Sequence, residues 1–235
     1  MKWLKKQSKV MGKIGLYNLS DWWLTTFTEA EQCYIAEKYQ PMGAPEGSLI
    51  KGELQPGETG RAAQLLWGLA TWFSSKEDFT IACRILDKAE ELSSNPIDYH
   101  FTYSGMIHTY YPMRDVEPEA LAKTIEACQA QINIASEVAQ HMREDRARLA
   151  IFVSRPFQNS SPSDIADSEI EAVLKKSDYP LPSHEGYKQM SIILEKQGNF
   201  SEVIRLAQQA KQQGWKGDWD KRIDRCEKKL GNMKK

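Results

Sequence analysis

Four histidines, His100, His108, His141 and His184, are the side chains of this sequence best suited to bind a metal or move a proton near neutral pH. His184-Glu185 opens like the helical zinc-protease motif, which needs a second histidine one turn later. Lys188 occupies that place, so the second imidazole is missing. His100 and His108 are two turns apart and share a helix face if the segment is helical. No acid or cysteine recurs at matching spacing, and no metal site is expected. Paired carboxylates such as Glu90-Glu91 and Glu169/Glu171 fall on charged helix faces, where solvation accounts for them. Cys33, Cys83, Cys128 and Cys226 form no C-x-x-C. Each sits in an apolar helical pattern, where a reduced thiol acts as a small hydrophobe. The sequence contains no G-x-S-x-G, no phosphate-binding loop and no G-x-G-x-x-G. No catalytic residue and no cofactor is therefore expected, and the chain reads as a non-enzyme.

The aromatic residues leave one unusual string, Gly214-Trp215-Lys216-Gly217-Asp218-Trp219. Two tryptophans about a glycine turn can form a ligand platform. They can also staple one helix to the next, with Asp218 as N-cap, and the second reading is favoured. Trp22 and Trp23 read in the same way, as anchors of the N-terminal segment.

These residues need elements to position them, and the punctuation of the sequence predicts helices. Thr28 with Glu31 forms a capping box for a helix to about Gln40. Eight Gly and Pro residues between Pro41 and Gly60 mark a connection, with a doubtful hairpin around Ser48 to Leu54. Helices are expected over Arg61–Phe73, Lys76–Leu92 and Pro96–Tyr110, the last stopped by Pro112. Pro118 starts the next, with Leu121, Ile125, Cys128 and Ile132 on one face. Further helices are expected over Ser136–Val153 and Ser163–Lys175. Ser183 is read as the cap of a helix to Gln197, followed by helices from Phe200 and from Trp219. The expected domains are residues 1–60, a basic arm with short helices and the Pro/Gly-rich connection, and residues 61–235, the helical domain.

The 235 residues are 41% hydrophobic and 27% charged, enough to bury a core without staples. The net charge of −1 is unevenly spread: residues 1–13 carry +5, residues 219–235 carry +4 and the body between carries −10. Basic ends on an acidic body can touch nucleic acid, but solvated termini explain them as well. No run is long enough to span a membrane, and no apolar stretch follows the basic start as in a secretory signal. The expected location is cytoplasmic.

Two segments share a register. Tyr187-x-x-Met190-Ser191-x-x-Leu194 is followed by Gly198, Phe200, Val203, Ala207 and Ala210. Leu66-x-x-Leu69-Ala70-x-x-Phe73 is followed by Phe79, Ala82, Leu86 and Ala89, with Glu77 where the turn glycine would stand. A third, looser copy runs through Tyr103-Ser104-x-x-Ile107. This pattern of large, small and aromatic positions resembles the tetratricopeptide repeat, over roughly 95 residues. The resemblance implies an all-α fold of stacked antiparallel helix pairs in a right-handed superhelix. The helix from Trp219 to Leu230 then serves as its C-terminal cap.

The first helix of each pair lines the concave face in such repeats. The resemblance thus implies a peptide-binding groove at Gln64, Trp67, Thr71, Asp98, Phe101, His108, Glu185, Lys188 and Ile192. The carboxylate-clamp subtype is disfavoured, because residues 61–73 contain no Asn or Lys. The implied function is a protein-protein interaction or scaffolding module that holds a peptide or helix of a protein partner. One alternative is a peptide-sensing or nucleic-acid-associated regulator. The other is a helical enzyme with no recognisable motif.

Overall fold

The computed structural model describes residues 10–51, 60–155, 161–177 and 179–233. The chain is all-α in class: about 70% of the described residues are helical, and they form twelve α-helices. It divides into two units, residues 1–94 and 95–235. The division falls at Ser94/Asn95 rather than in the breaker-rich connection near residue 60, so the helix pair at 62–92 belongs with the N-terminal segment.

The N-terminal unit contains α1 (Gly12–Leu16), α2 (Ser20–Thr26), α3 (Glu29–Lys38), α4 (Ala62–Ala70) and α5 (Phe79–Leu92). Its grouping has a polar cause. Asp78, 1% exposed, accepts hydrogen bonds from the Tyr34 hydroxyl at 2.7 Å, the Ser75 hydroxyl at 2.9 Å and the Lys38 ammonium. These bonds tie α3 to the start of α5 and hold the Asp78 carboxyl below its usual range against the opposing effect of burial. α5 begins at Phe79 and not at Lys76. Arg84 of α5 donates to Glu31 and to the Thr26 carbonyl, and its guanidinium lies 4.8 Å from the Phe27 ring centre. The Thr28/Glu31 capping box forms as expected. Trp22 and Trp23 pack about Phe27, with ring centres 5.4 and 5.3 Å away. Residues 48–51 form turns, and the rest of the doubtful hairpin lies outside the described residues.

The C-terminal unit begins with α6 (Pro96–Tyr110) and a 3-10 turn over Tyr111–Met113. Then follow α7 (Ala120–Asn133), α8 (Ala135–Ser154), a 3-10 turn over Pro162–Asp164 and α9 (Asp167–Leu174). The remainder is β1 (Leu181–Ser183), α10 (Glu185–Lys196), α11 (Phe200–Gln212), β2 (Trp215–Lys216) and α12 (Trp219–Met233). α6 packs on α7, α10 packs on both of them and on α11, and α11 packs on α12. α8 and α9 form a separate small core of Ala147, Ile151, Ile165 and Ile170.

Small residues let these helices approach. Ala207, Ala210 and Val203 on α11 are fully buried, as are Ala82 and Ala89 on α5. Phe200 is also buried, whereas Phe79, expected in the core, is half-buried at the first position of α5. Gly198 adopts φ +78°, which turns α10 into α11 and which an L side chain rarely adopts. α12 packs on α11 with Trp219 and Cys226 buried and Ile223 and Leu230 half-buried. Its basic face is only partly free, since Arg222 and Arg225 both donate to Glu195 of α10. Cys33 departs from its expected burial and is exposed.

Two elements were not foreseen. β1 and β2 pair in parallel, Leu181 opposite Trp215 and Ser183 opposite Lys216. Pro180 and Pro182 hold the first strand extended, which also moves the cap of α10 from Ser183 to His184. The other is Gln131, which lies on the apolar face of α7 and is fully buried. It donates to the His100 carbonyl at 2.7 Å and the Ser104 hydroxyl at 2.6 Å, and accepts the Gly186 N–H at 2.6 Å. One amide therefore joins α6, α7 and α10.

Replacing Gln131 with Leu keeps the volume but leaves the buried Gly186 N–H without its acceptor. Unfolding by urea should show a loss of about 2–3 kcal/mol. Gln129→Leu, on the exposed face of the same helix, should stay within about 0.5 kcal/mol. Equal effects would contradict the bridging role.

Candidate functional site

The nine residues expected in a groove are divided between the two units and are taken unit by unit. On α4 of the N-terminal unit, Gln64 is exposed and Trp67 is half-buried. Thr71 lies just past the helix end; it is exposed and donates its hydroxyl to the Gly68 carbonyl at 2.7 Å. In the C-terminal unit Asp98 departs from expectation. It is fully buried at the start of α6, where its N–H donates to Asn95 Oδ1 at 3.0 Å. Its carboxylate accepts from the Asn95 amide at 2.6 Å. Asp98 therefore serves the N-terminal cap of α6 and offers nothing to a ligand.

The structure brings three others together. His108 of α6 and Glu185 and Lys188 of α10 meet at one carboxylate oxygen. Glu185 Oε2 lies 3.8 Å from His108 Nε2 and 3.3 Å from Lys188 Nζ. The His108 side chain is 65% exposed and that of Lys188 52%, whereas Glu185 is 17% exposed and sits between them. Ile192, one turn beyond Lys188, and Phe101 are half-buried. Two helices that are separated by about seventy-five residues of chain thus present one mixed surface of imidazole, carboxylate and ammonium groups.

Behind the helices lies a buried aromatic cluster. His100 and His184 are 3% and 0% exposed, with ring centres 5.2 Å apart. Trp215 stacks on His100 at 5.7 Å and meets His184 edge-on at 4.6 Å. Tyr187 packs against His184 at 4.7 Å. His184 Nδ1 accepts the Tyr187 N–H at 3.3 Å and so caps α10, which places the proton of its neutral ring on Nε2. His184 Nε2 and His100 Nδ1 are buried without a hydrogen-bond partner. Trp215 donates to Gln213 Oε1 at 3.0 Å, and Trp219 donates to the Trp215 carbonyl at 2.7 Å. Both tryptophans are buried, so they staple α11 to α12 and present no open ring face.

Chemistry in this cluster is suppressed. Burial pushes His100 down to about 4, and burial together with neighbouring His100 pushes His184 down to about 3. Burial pushes the Cys128 thiol and the Tyr187 phenol up to about 12. Each group stays neutral at pH 7. His100 and His108, which share α6, do not share a role: the first is core and the second is surface. No group of three or more metal-ligating side chains occurs among the described residues. No described helix is long and apolar enough to cross a membrane.

Comparison of the chain with family models, curated proteins and solved structures finds no match.

The histidine pair sets a pH dependence. Both histidines bind a proton more weakly in the folded chain than in the unfolded one, where the ordinary value is about 6.5. The unfolded state therefore takes up more protons as pH falls below 6.5, and stability is lost from there down towards about 4. At pH 5 the loss should be about 2 kcal/mol per histidine. The carboxylates with lowered values, such as Glu31 at about 2, lose their contribution only below their ordinary range, so they act later. Denaturant titrations at pH 7 and pH 5 should show the difference. His184→Asn keeps a capping acceptor and should remove about half of it. A variant with the full acid sensitivity of the original chain would refute the assignment.

Proposed function

We propose that this protein is a binding module of the tetratricopeptide-like kind, which holds a peptide or helix of a partner protein. The face in question is formed by the first helices of two successive pairs, α6 and α10. What carries the reading is the meeting of His108, Glu185 and Lys188. The repeat register alone nominates these residues, and Glu185 lies within 4 Å of both His108, on a helix far away in sequence, and Lys188 on its own helix. Two further observations support it. α10 packs on both members of the preceding pair, the order of contact that a helical repeat stack requires. α8 and α9 then form an insertion between two repeats. Half-buried Phe101 and Ile192 supply apolar anchors beside the charged group, as interfaces do.

The alternative of nucleic-acid binding through the basic C-terminal helix has less support, because Arg222 and Arg225 are already engaged by Glu195. The basic N-terminal residues 1–9 lie outside the described residues.

The test is selection of binding peptides from a random library on the purified chain, followed by fluorescence anisotropy. Lys188→Glu should weaken the selected peptides by about tenfold, roughly 1.4 kcal/mol, without lowering the melting temperature. Lys221→Glu on α12 should leave them unaffected. No selected peptide, or equal affinity for all three proteins, would reject the groove. Salt-dependent binding of RNA without peptide binding would favour the regulator instead.

A further inference from the structure

A second surface of the C-terminal unit, away from the groove residues, has a different chemistry. A hollow of about 460 Å³ lies between α8 and the end of α9, lined by Gln140, Arg143, Leu174, Lys175, Lys176 and Ser177. Its volume is in the range of small-molecule sites, about 300–1,000 Å³. Three of the six lining residues are cations and none is an acid.

The arginines along α8 differ in their partners. Arg148 lies 3.9 Å from Asp167 and Arg155, just past the helix end, pairs with Glu169, whereas Arg146 donates to the Pro180 carbonyl. Arg143 makes no ion pair among the described residues. It donates instead to the Gln213 carbonyl at 2.7 Å. That bond fixes the guanidinium at the mouth of the hollow but neutralises none of its charge. Lys175 and Lys176 are exposed and likewise make no ion pair among the described residues. Lysines suit the C-terminal end of α9 on dipole grounds alone. Arg143 comes from another helix and caps the C-terminal end of α11 through the Gln213 carbonyl, which brings a third cation to the same hollow. Three cations line one hollow and make no ion pair among the described residues; like charges repel one another, and a bound anion relieves that repulsion.

We propose that this hollow binds the phosphate group of a small phosphorylated molecule. The planar fork of Arg143, held by Gln213, presents its remaining N–H groups to two phosphate oxygens. Lys175 and Lys176 supply point charges that balance a dianion. Ser177 offers a neutral hydroxyl and Leu174 an apolar wall for the rest of the ligand, while the Gln140 amide already donates to Glu144 at 2.8 Å. The site shares no residue with the proposed peptide groove, so either reading can fail alone.

Isothermal titration of the full chain with inorganic phosphate and with glucose 6-phosphate, at ionic strength matched with chloride, tests the proposal. Both probes should bind saturably in the millimolar range or tighter. Lys175→Ala/Lys176→Ala, at two exposed positions that do not threaten folding, should weaken both by about tenfold or more. Lys221→Ala/Lys228→Ala on α12 and Lys188→Glu on α10 should leave them unchanged. Absence of saturable binding of either probe would overturn the site. So would an unchanged affinity in the Lys175/Lys176 variant, or an equal loss in the α12 variant, which would mark diffuse charge attraction.

Discussion

The buried amide of Gln131 is the constraint on which the C-terminal unit depends. A helix N-terminus has backbone N–H groups with no partner inside the helix, and a buried one must find acceptors elsewhere. α10 starts inside the unit. His184 accepts one of its N–H groups, and Gln131, from a helix more than fifty residues earlier, accepts that of Gly186. The close approach permits no side chain at residue 186, since a Cβ there would lie 2.8 Å from Gln131 Oε1 and 2.9 Å from the Cys128 carbonyl. The glycine, the glutamine and the histidine are thus one device. It sets where α10 begins, and hence where Glu185 and Lys188 stand relative to His108.

The helices were legible in the sequence because their signals are local. Thr28 and Glu31 cap α3, Asn95 and Pro96 start α6, and Gly198 turns α10 into α11. Legibility fell where a residue's role depends on a distant partner. Gln131 reads as a polar helical residue, although it shares a stripe with Ala127, Cys128 and Ile132 that could have flagged it as buried. Nothing local signals the burial of Asp78 or of Asp98, the latter expected to face the groove. One takes its donors from α3 and the other from the asparagine that caps its own helix. The two short strands carry no period, because each is too short to alternate and they pair across some thirty residues.

The placement of the residues named for the proposed groove was legible in part for the same reason. A helical register assigns residues to a face correctly once the helix bounds are right, which placed His108, Glu185 and Lys188 together. It cannot see that the first turn of α6 is occupied with its own capping. The hollow beside α8 was not legible at all, because its cations come from separate helices and the carbonyl that orients Arg143 follows α11.

The place of α8 and α9 in the chain, between α7 and α10, has a kinetic consequence. α6 and α7 meet across a short connection, so they can associate early and cheaply. The Gln131–Gly186 bond closes a loop of 55 residues. The entropy of such a closure rises only slowly with length, so a shorter or longer loop changes the equilibrium little. Its burden falls on the rate, since long-range contacts must form before they are rewarded. The docking of α10 onto α6 and α7 is therefore the step at which the C-terminal unit commits to its native topology, and α11 and α12 follow it by local steps.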